Sequence, residues 1–176
     1  MTKSLVAIVT GSDSDLPTMS GAVKILEEFG IPHEITISSA HRSPKRTVDL
    51  IEGYHRQGIK VIIVAAGLAA HLGGVVAAHF PLPVIGIPLK AGALSGVDSL
   101  YSTVQMPPGV PVATVGIDNS QNAGLLAVQI LAVSDEKLEK KLIDYKKSLA
   151  NKVAEKADSL AKAGLQQYIN GNLKNR

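Results

Sequence analysis

The sequence predicts a doubly wound α/β fold: a three-layer, parallel sheet with helices on both faces, followed by a long C-terminal helix. Three observations predict it. Short, mostly β-branched runs recur at Leu5-Val6-Ala7-Ile8-Val9, Ile35-Thr36-Ile37, Val61-Ile62-Ile63-Val64, Val84-Ile85-Gly86-Ile87 and Val112-Ala113-Thr114-Val115. Each run opens into a turn of small or polar residues, and segments of helical spacing lie between most of them. Continuous apolar runs suit parallel strands covered on both sides, joined by right-handed crossovers.

The first strand leads into Thr10-Gly11-Ser12-Asp13-Ser14-Asp15. The helix after it takes Asp15 as its cap, places Met19, Ala22, Val23 and Leu26 on one face and stops at Gly30. The second strand, 35–37, reads as buried and ends in Ser38-Ser39-Ala40-His41-Arg42-Ser43-Pro44, with Ser43 as N-cap and proline at the first helical position. Its helix carries Val48, Ile51 and His55 on one face and stops at Gly58. The third strand reaches Ala65-Ala66-Gly67, and 70–78 reads as a helix of small residues. Between strands four and five, 91–109 is longer than an ordinary connection, and loops of that length are often functional. A helix over 122–133 closes the series.

After Ser134, a candidate N-cap, one helical pattern runs to about Ala163, with Leu138, Leu142, Tyr145, Leu149 and Val153 three and four apart, until Gly164 breaks it. A small domain cannot bury so long a stripe, which predicts packing on another subunit. The organisation expected is one domain: an α/β core over 1–134, the long helix over 135–164 at a subunit interface, and a polar, frayed tail over 165–176.

Composition excludes several classes of chemistry. Absence of cysteine removes disulfides, thiolate nucleophiles and Cys-ligated metals, and with no export signal or membrane-length apolar run it predicts a cytoplasmic protein. The net charge is +3, but ten of eighteen Lys and Arg lie beyond residue 130, on or after the long helix. That pattern reads as a solvated helix face, and 3% aromatic content supplies no base-stacking platform, so no nucleic-acid partner is expected.

Three strand-to-helix turns carry polar chemistry. Ser12, Ser14 and Asp15 can offer N–H groups and hydroxyls to a phosphate and a carboxylate to ribose, or can simply start a helix. The loop lacks the further glycines of a dinucleotide fingerprint and the lysine of a P-loop. His41 and Arg42 pair a proton carrier with an anion clamp. His71, beside Leu72 and Gly73-Gly74, stands at the third turn, where a structural role is equally open. No His or carboxylate spacing promises a metal site.

Taken in order, Gly11-Ser12-Asp13-Ser14-Asp15, Ser39-Ala40-His41-Arg42, Ala69-Ala70-His71-Leu72 and Ala93-Leu94-Ser95-Gly96-Val97-Asp98-Ser99-Leu100 with Val104-Gln105-Met106-Pro107 resemble the 5-(carboxyamino)imidazole ribonucleotide mutases of purine biosynthesis. The resemblance extends over 5–132. It implies a flavodoxin-like fold, a homo-octamer with active sites at subunit contacts, and no cofactor. It also implies that Ser12, Asp15 and Arg42 hold a ribonucleotide, with Ser14 and Ser39 near its phosphate. His41 falls on the general acid/base, and Ala69, Ala70, His71 and Leu72 on the pocket for the migrating carboxyl group. Leu68 stands where that family usually has a second glycine, and Gly73 where it usually has proline. The related carboxylases, which use free carbon dioxide, typically lack the His-Arg and Ala-His-Leu versions present here. Two other readings share the phosphate loop: a flavodoxin-type flavin protein, which the scarcity of aromatics disfavours, and a non-catalytic nucleotide-binding domain, which has no use for a proton carrier at His41.

Overall fold

A computed structural model describes residues 3–172. The chain divides after Ser134 into two compact units. The first holds five strands, β1 Val6–Thr10, β2 His33–Ile37, β3 Val61–Gly67, β4 Val84–Leu89 and β5 Ala113–Thr114. They form one sheet in the order β2-β1-β3-β4-β5, every pair parallel. This is the flavodoxin-like order of a doubly wound sheet.

Alternate strand residues serve opposite faces. Ala7, Val9, Ile62 and Val64 join a core with Ile51 and Tyr54 of α2 (Pro44–Gln57) and with Leu72 and Val76 of α3 (Leu72–His79). One residue out of phase, Ile8, Ile63 and Ile85 are fully buried toward the other side. There α1 (Leu16–Phe29) and α5 (Ser120–Ala132) pack closely on one another. Gly124 makes that approach possible, because a Cβ on it would lie 3.0 Å from the Ala22 carbonyl oxygen and 3.1 Å from Ile25 Cβ.

Several elements differ from the sequence expectation, each for a physical reason. β2 is not buried: it is one of the sheet's two edge strands, and Ile35 and Ile37 are 42% and 39% exposed. The inward face of α2 is Thr47, Ile51 and Tyr54, whereas His55 is exposed, since the helix is rotated by one position from the expected stripe. β5 shrinks to two residues. Within 91–109 lies a further helix, α4 Val97–Val104, which buries Ser99 and Thr103 and exposes Val97, Tyr101 and Val104. Its polarity runs opposite to the usual pattern, so a search for an inward apolar stripe passes over it.

The second unit is α6, Glu136–Asn172. Its first N–H groups are met by Asp135, whose Oδ1 accepts from Lys137 N at 2.9 Å and Leu138 N at 3.1 Å, so Asp135 rather than Ser134 is the cap. Gly164, at φ 71° and ψ 160°, interrupts the helix. Beyond it 165–172 is helical where a frayed tail was expected, consistent with the helical spacing of Leu165, Tyr168 and Ile169; 173–176 lie outside the described residues. Of the predicted stripe, Leu138 and Leu142 are buried and Leu149 and Val153 exposed. No helix among the described residues is long and apolar enough to cross a membrane.

Candidate active site

From β1 the chain crosses to β2 on one side and then to β3 on the other. The loops at the carboxyl ends of β1 and β3 therefore diverge, and ligands of doubly wound sheets bind in the crevice so formed. A cleft of about 500 Å³ occupies it, walled by the turns after β1, β2 and β3 and closed by Ala91 after β4.

The first wall is a tight hydroxyl cluster. Ser12 Oγ donates to Asp13 Oδ1 at 3.0 Å and accepts from the Ser14 hydroxyl at 2.9 Å and the Ser14 N–H at 3.4 Å. Ser12 thus caps the short 3-10 turn Asp13–Asp15, and Asp15, with helical backbone angles and no capping bond, does not cap α1 as expected. Its carboxylate is left to face the cleft. Burial raises the Asp15 pKa above the ordinary carboxylate value, and hydrogen bonds from Ser14 and Ser12, with the Arg42 charge, pull against that rise.

The second wall is the turn after β2. Arg42 Nη2 donates to the Gly11 carbonyl at 3.0 Å, which lays the guanidinium along the first loop. Ser39 Oγ accepts from the Arg42 backbone N–H at 3.2 Å and from Nε at 3.4 Å. Ser43 occupies the N-cap position of α2, but its side chain does not cap. Its hydroxyl instead donates to the Ser39 carbonyl at 3.0 Å and accepts the Ser39 N–H at 3.3 Å, which closes the turn on itself. Beneath it the buried Ser38 and Thr47 hydroxyls meet at 2.8 Å.

The third wall, after β3, begins at Leu68, whose φ of 56° lies in the left-handed region that favours glycine. The His71 N–H donates to the Ala69 carbonyl at 2.8 Å, and the buried Ala70 N–H donates to Ser102 Oγ at 3.0 Å. This turn swings the His71 ring across the cleft. Its Nδ1 lies 2.9 Å from His41 Nε2, with the two rings perpendicular and their centroids 5.0 Å apart. One proton is shared between the facing nitrogens, so one ring donates and the other accepts.

Ser12, Ser14, Asp15, Ser39, His41, Arg42, Ala69, His71 and Leu72 all line this cleft. Ala70 does not: it is 1% exposed, and its contribution is the backbone bond to Ser102. The lining also includes Gly11, Ala40, Ala66, Gly67 and Ala91, which sequence reasoning did not assign to the site, and Leu68, which it noted only as a departure from the family pattern; Ser102 behind the lining was missed. A sign of Ser102 was present in its place within the long 91–109 connection, four residues after Asp98. Among the described residues no group of three or more His or acidic side chains is placed to hold a metal ion.

Known proteins resemble this chain in sequence and in fold. A family model described as AIR carboxylase matches residues 5–152. The N5-carboxyaminoimidazole ribonucleotide mutase of Pyrococcus horikoshii is 53% identical over 95% of this chain and 94% of its own. The phosphoribosylaminoimidazole carboxylase of Schizosaccharomyces pombe is also 53% identical over 93% of this chain, but the match spans only 30% of that longer protein. The crystal structure of Treponema denticola PurE superposes with a TM-score of 0.82 at 31% identity, covering 88% of this chain and 97% of that one. A family match across most of the sequence and identity above one half over nearly the whole length lead to one conclusion: the chain belongs to the AIR carboxylase family.

Proposed function

We propose that this protein is an isomerase that moves a carboxyl group from the exocyclic nitrogen to the neighbouring ring carbon of 5-(carboxyamino)imidazole ribonucleotide, in purine biosynthesis. The observation that carries the reading is the His41–His71 pair, 2.9 Å apart, set beside a cradle of hydroxyls and a guanidinium at the switch point. Relatives matching nearly end to end, such as the Pyrococcus mutase, support the same activity.

The reaction needs one proton given and one taken. His41, protonated, gives a proton to the exocyclic nitrogen as its bond to the carboxyl group breaks and carbon dioxide forms. The ring carbon then attacks carbon dioxide, and His41, now neutral, removes the proton from that carbon. No net proton is consumed. An imidazole suits both halves because its reference pKa lies close to cellular pH. Ser12, Asp15 and Arg42 hold the ribonucleotide, with Ser14 and Ser39 toward its phosphate, and the apolar Ala69 and Leu72 keep water from the carbon dioxide between the two steps.

The test is to supply 5-(carboxyamino)imidazole ribonucleotide and follow the ring-carboxylated isomer. Turnover without added bicarbonate supports the mutase. The carboxylase name of the fungal relative favours one competing reading, and product formed only from the uncarboxylated nucleotide with added carbon dioxide would establish it instead.

The reading extends to a cytoplasmic homo-oligomer, an octamer by the family resemblance. Exposed apolar residues support the self-association: Val97, Tyr101 and Val104 on α4, and Leu149 and Val153 on α6. Light scattering should give the mass of eight chains, and a stable monomer at micromolar concentration removes the assembly.

A further inference from the structure

Ser102 lies outside the cleft, at the junction that holds the third wall. Its hydroxyl accepts the Ala70 N–H at 3.0 Å and lies 2.7 Å from the Asp98 carbonyl, to which it donates; the carbonyls of Ser99 and Leu68 stand farther off, at 3.3 and 3.5 Å. A hydroxyl has one proton to give and lone pairs to spare, so both bonds form together. Ala70 is 1% exposed and Ser102 Oγ is the acceptor its N–H meets, so removing that oxygen takes away the bond of a donor on a buried residue. The same turn contains Leu68 in a left-handed conformation, which persists only where the surroundings impose it. The next residue after Ala70 is His71, whose ring meets His41.

We propose that Ser102 is a positioning residue for the isomerisation: through the Ala70 N–H it holds the turn that sets His71 against His41. The proposal rests on the isomerase reading and deepens it. Ser102 makes no bond to the loops of Ser12, Asp15 or Arg42, so its action is confined to the proton-transfer side of the cleft.

The experiment compares Ser102→Ala, Ser102→Cys and Ser102→Thr with wild type in steady-state assays on the full chain. Displacing a reacting group by about 1 Å costs on the order of 100-fold in rate. Ser102→Ala is expected to lower kcat by about ten- to hundredfold and leave KM within about threefold. Ser102→Cys keeps the size but only a weak hydrogen-bonding group, so it should lose comparably and carries the test if the alanine variant fails to fold. Ser102→Thr retains the hydroxyl and should recover kcat to within about threefold of wild type. Placed on a His71→Asn background, Ser102→Ala should cost less than about twofold more, because both changes break the same contact.

A kcat within about twofold of wild type in both the alanine and cysteine variants overturns the proposal. So do a loss confined to KM, a threonine variant as impaired as alanine, and full multiplication of the Ser102 and His71 effects. Proton NMR of the histidine rings reads the positioning without turnover: Ser102→Ala should displace the signals of both His41 and His71, and unmoved signals overturn the role. Failure of the wild-type protein to isomerise would sink the isomerase reading alone, leaving the ring signals to decide the positioning.

Discussion

Two turns bring a histidine to the same cleft, and they are built in opposite ways. The turn after β2 is braced mostly from within: Ser39 and Ser43 bond each other and Ser39 holds Arg42, all within four residues, and Arg42 adds one distant bond to the Gly11 carbonyl. The turn after β3 is held from a distance, through Ser102 on a helix about thirty residues further along, and it carries a leucine in a backbone region that favours glycine. Local bonds preform the first turn, on which Arg42 is proposed to clamp the nucleotide. Remote support makes the second adjustable, because whatever shifts α4 shifts His71.

The comparison predicts different losses on the two sides. The largest should follow His41→Asn, which keeps a polar group on the locally braced turn but removes its proton carrier. Isomerisation should fall by about 100- to 10,000-fold with nucleotide affinity nearly unchanged, as kinetics and titration calorimetry would show. Activity within a few-fold of wild type would transfer the proton chemistry to His71 and reverse the ranking of the turns. Next in size is Arg42→Ala, which removes a charge-assisted contact worth about 1.5–3 kcal/mol and so weakens nucleotide binding by about 10- to 150-fold. An unchanged dissociation constant would mean that the clamp closes only on Gly11 and not on a ligand.

The smallest effect should come from Leu68→Gly, which sharpens the contrast by testing the strain itself. A non-glycine residue in the left-handed region costs roughly 1–2 kcal/mol, and glycine gives back about 0.5–1 kcal/mol through the entropy of the unfolded chain. Urea unfolding should therefore show a gain of up to about 1 kcal/mol. A destabilisation of that size would show that the leucine side chain, whose Cδ2 lies against Gly92, holds the turn rather than being held by it.

The same contrast decides what could be read from the sequence. The Ser-Ala-His-Arg-Ser-Pro turn is legible because the bonds among Ser39, Arg42 and Ser43 that shape it join near neighbours, and its residue types announce a proline-started helix beside a His-Arg pair. The strand order follows from alternating strands and helices once the family resemblance supplies the flavodoxin-like topology. Details set by distant contacts are hidden. Nothing in the sequence near Ala70 reveals that its N–H is satisfied from α4, or that its methyl is buried outside the cleft. α4 escapes notice because Ser99 and Thr103 face inward, hydrogen-bonding the carbonyls of Leu89 and Ser99, while its apolar residues face out. β2 is misjudged as buried because β-branched composition describes a strand and not its rank in the sheet. At Asp15 and Ser43 the sequence marks helix starts correctly, but competing hydroxyls redirect the capping bonds.

Asp15 gives the cleft a thermodynamic character of its own. Its pKa is raised by burial, so the folded chain binds that proton more tightly than the unfolded chain does. The stability this contributes is complete below the unfolded value, near 3.9, and is lost as pH rises through the higher folded value. Wherever the Asp15 carboxyl is ionised in the folded chain, it therefore carries that charge at a net cost to the fold. A ligand whose hydroxyls donate to that carboxylate relieves the cost as it binds. Part of what an assay would record as affinity is then the easing of a charge that the fold alone holds at a disadvantage.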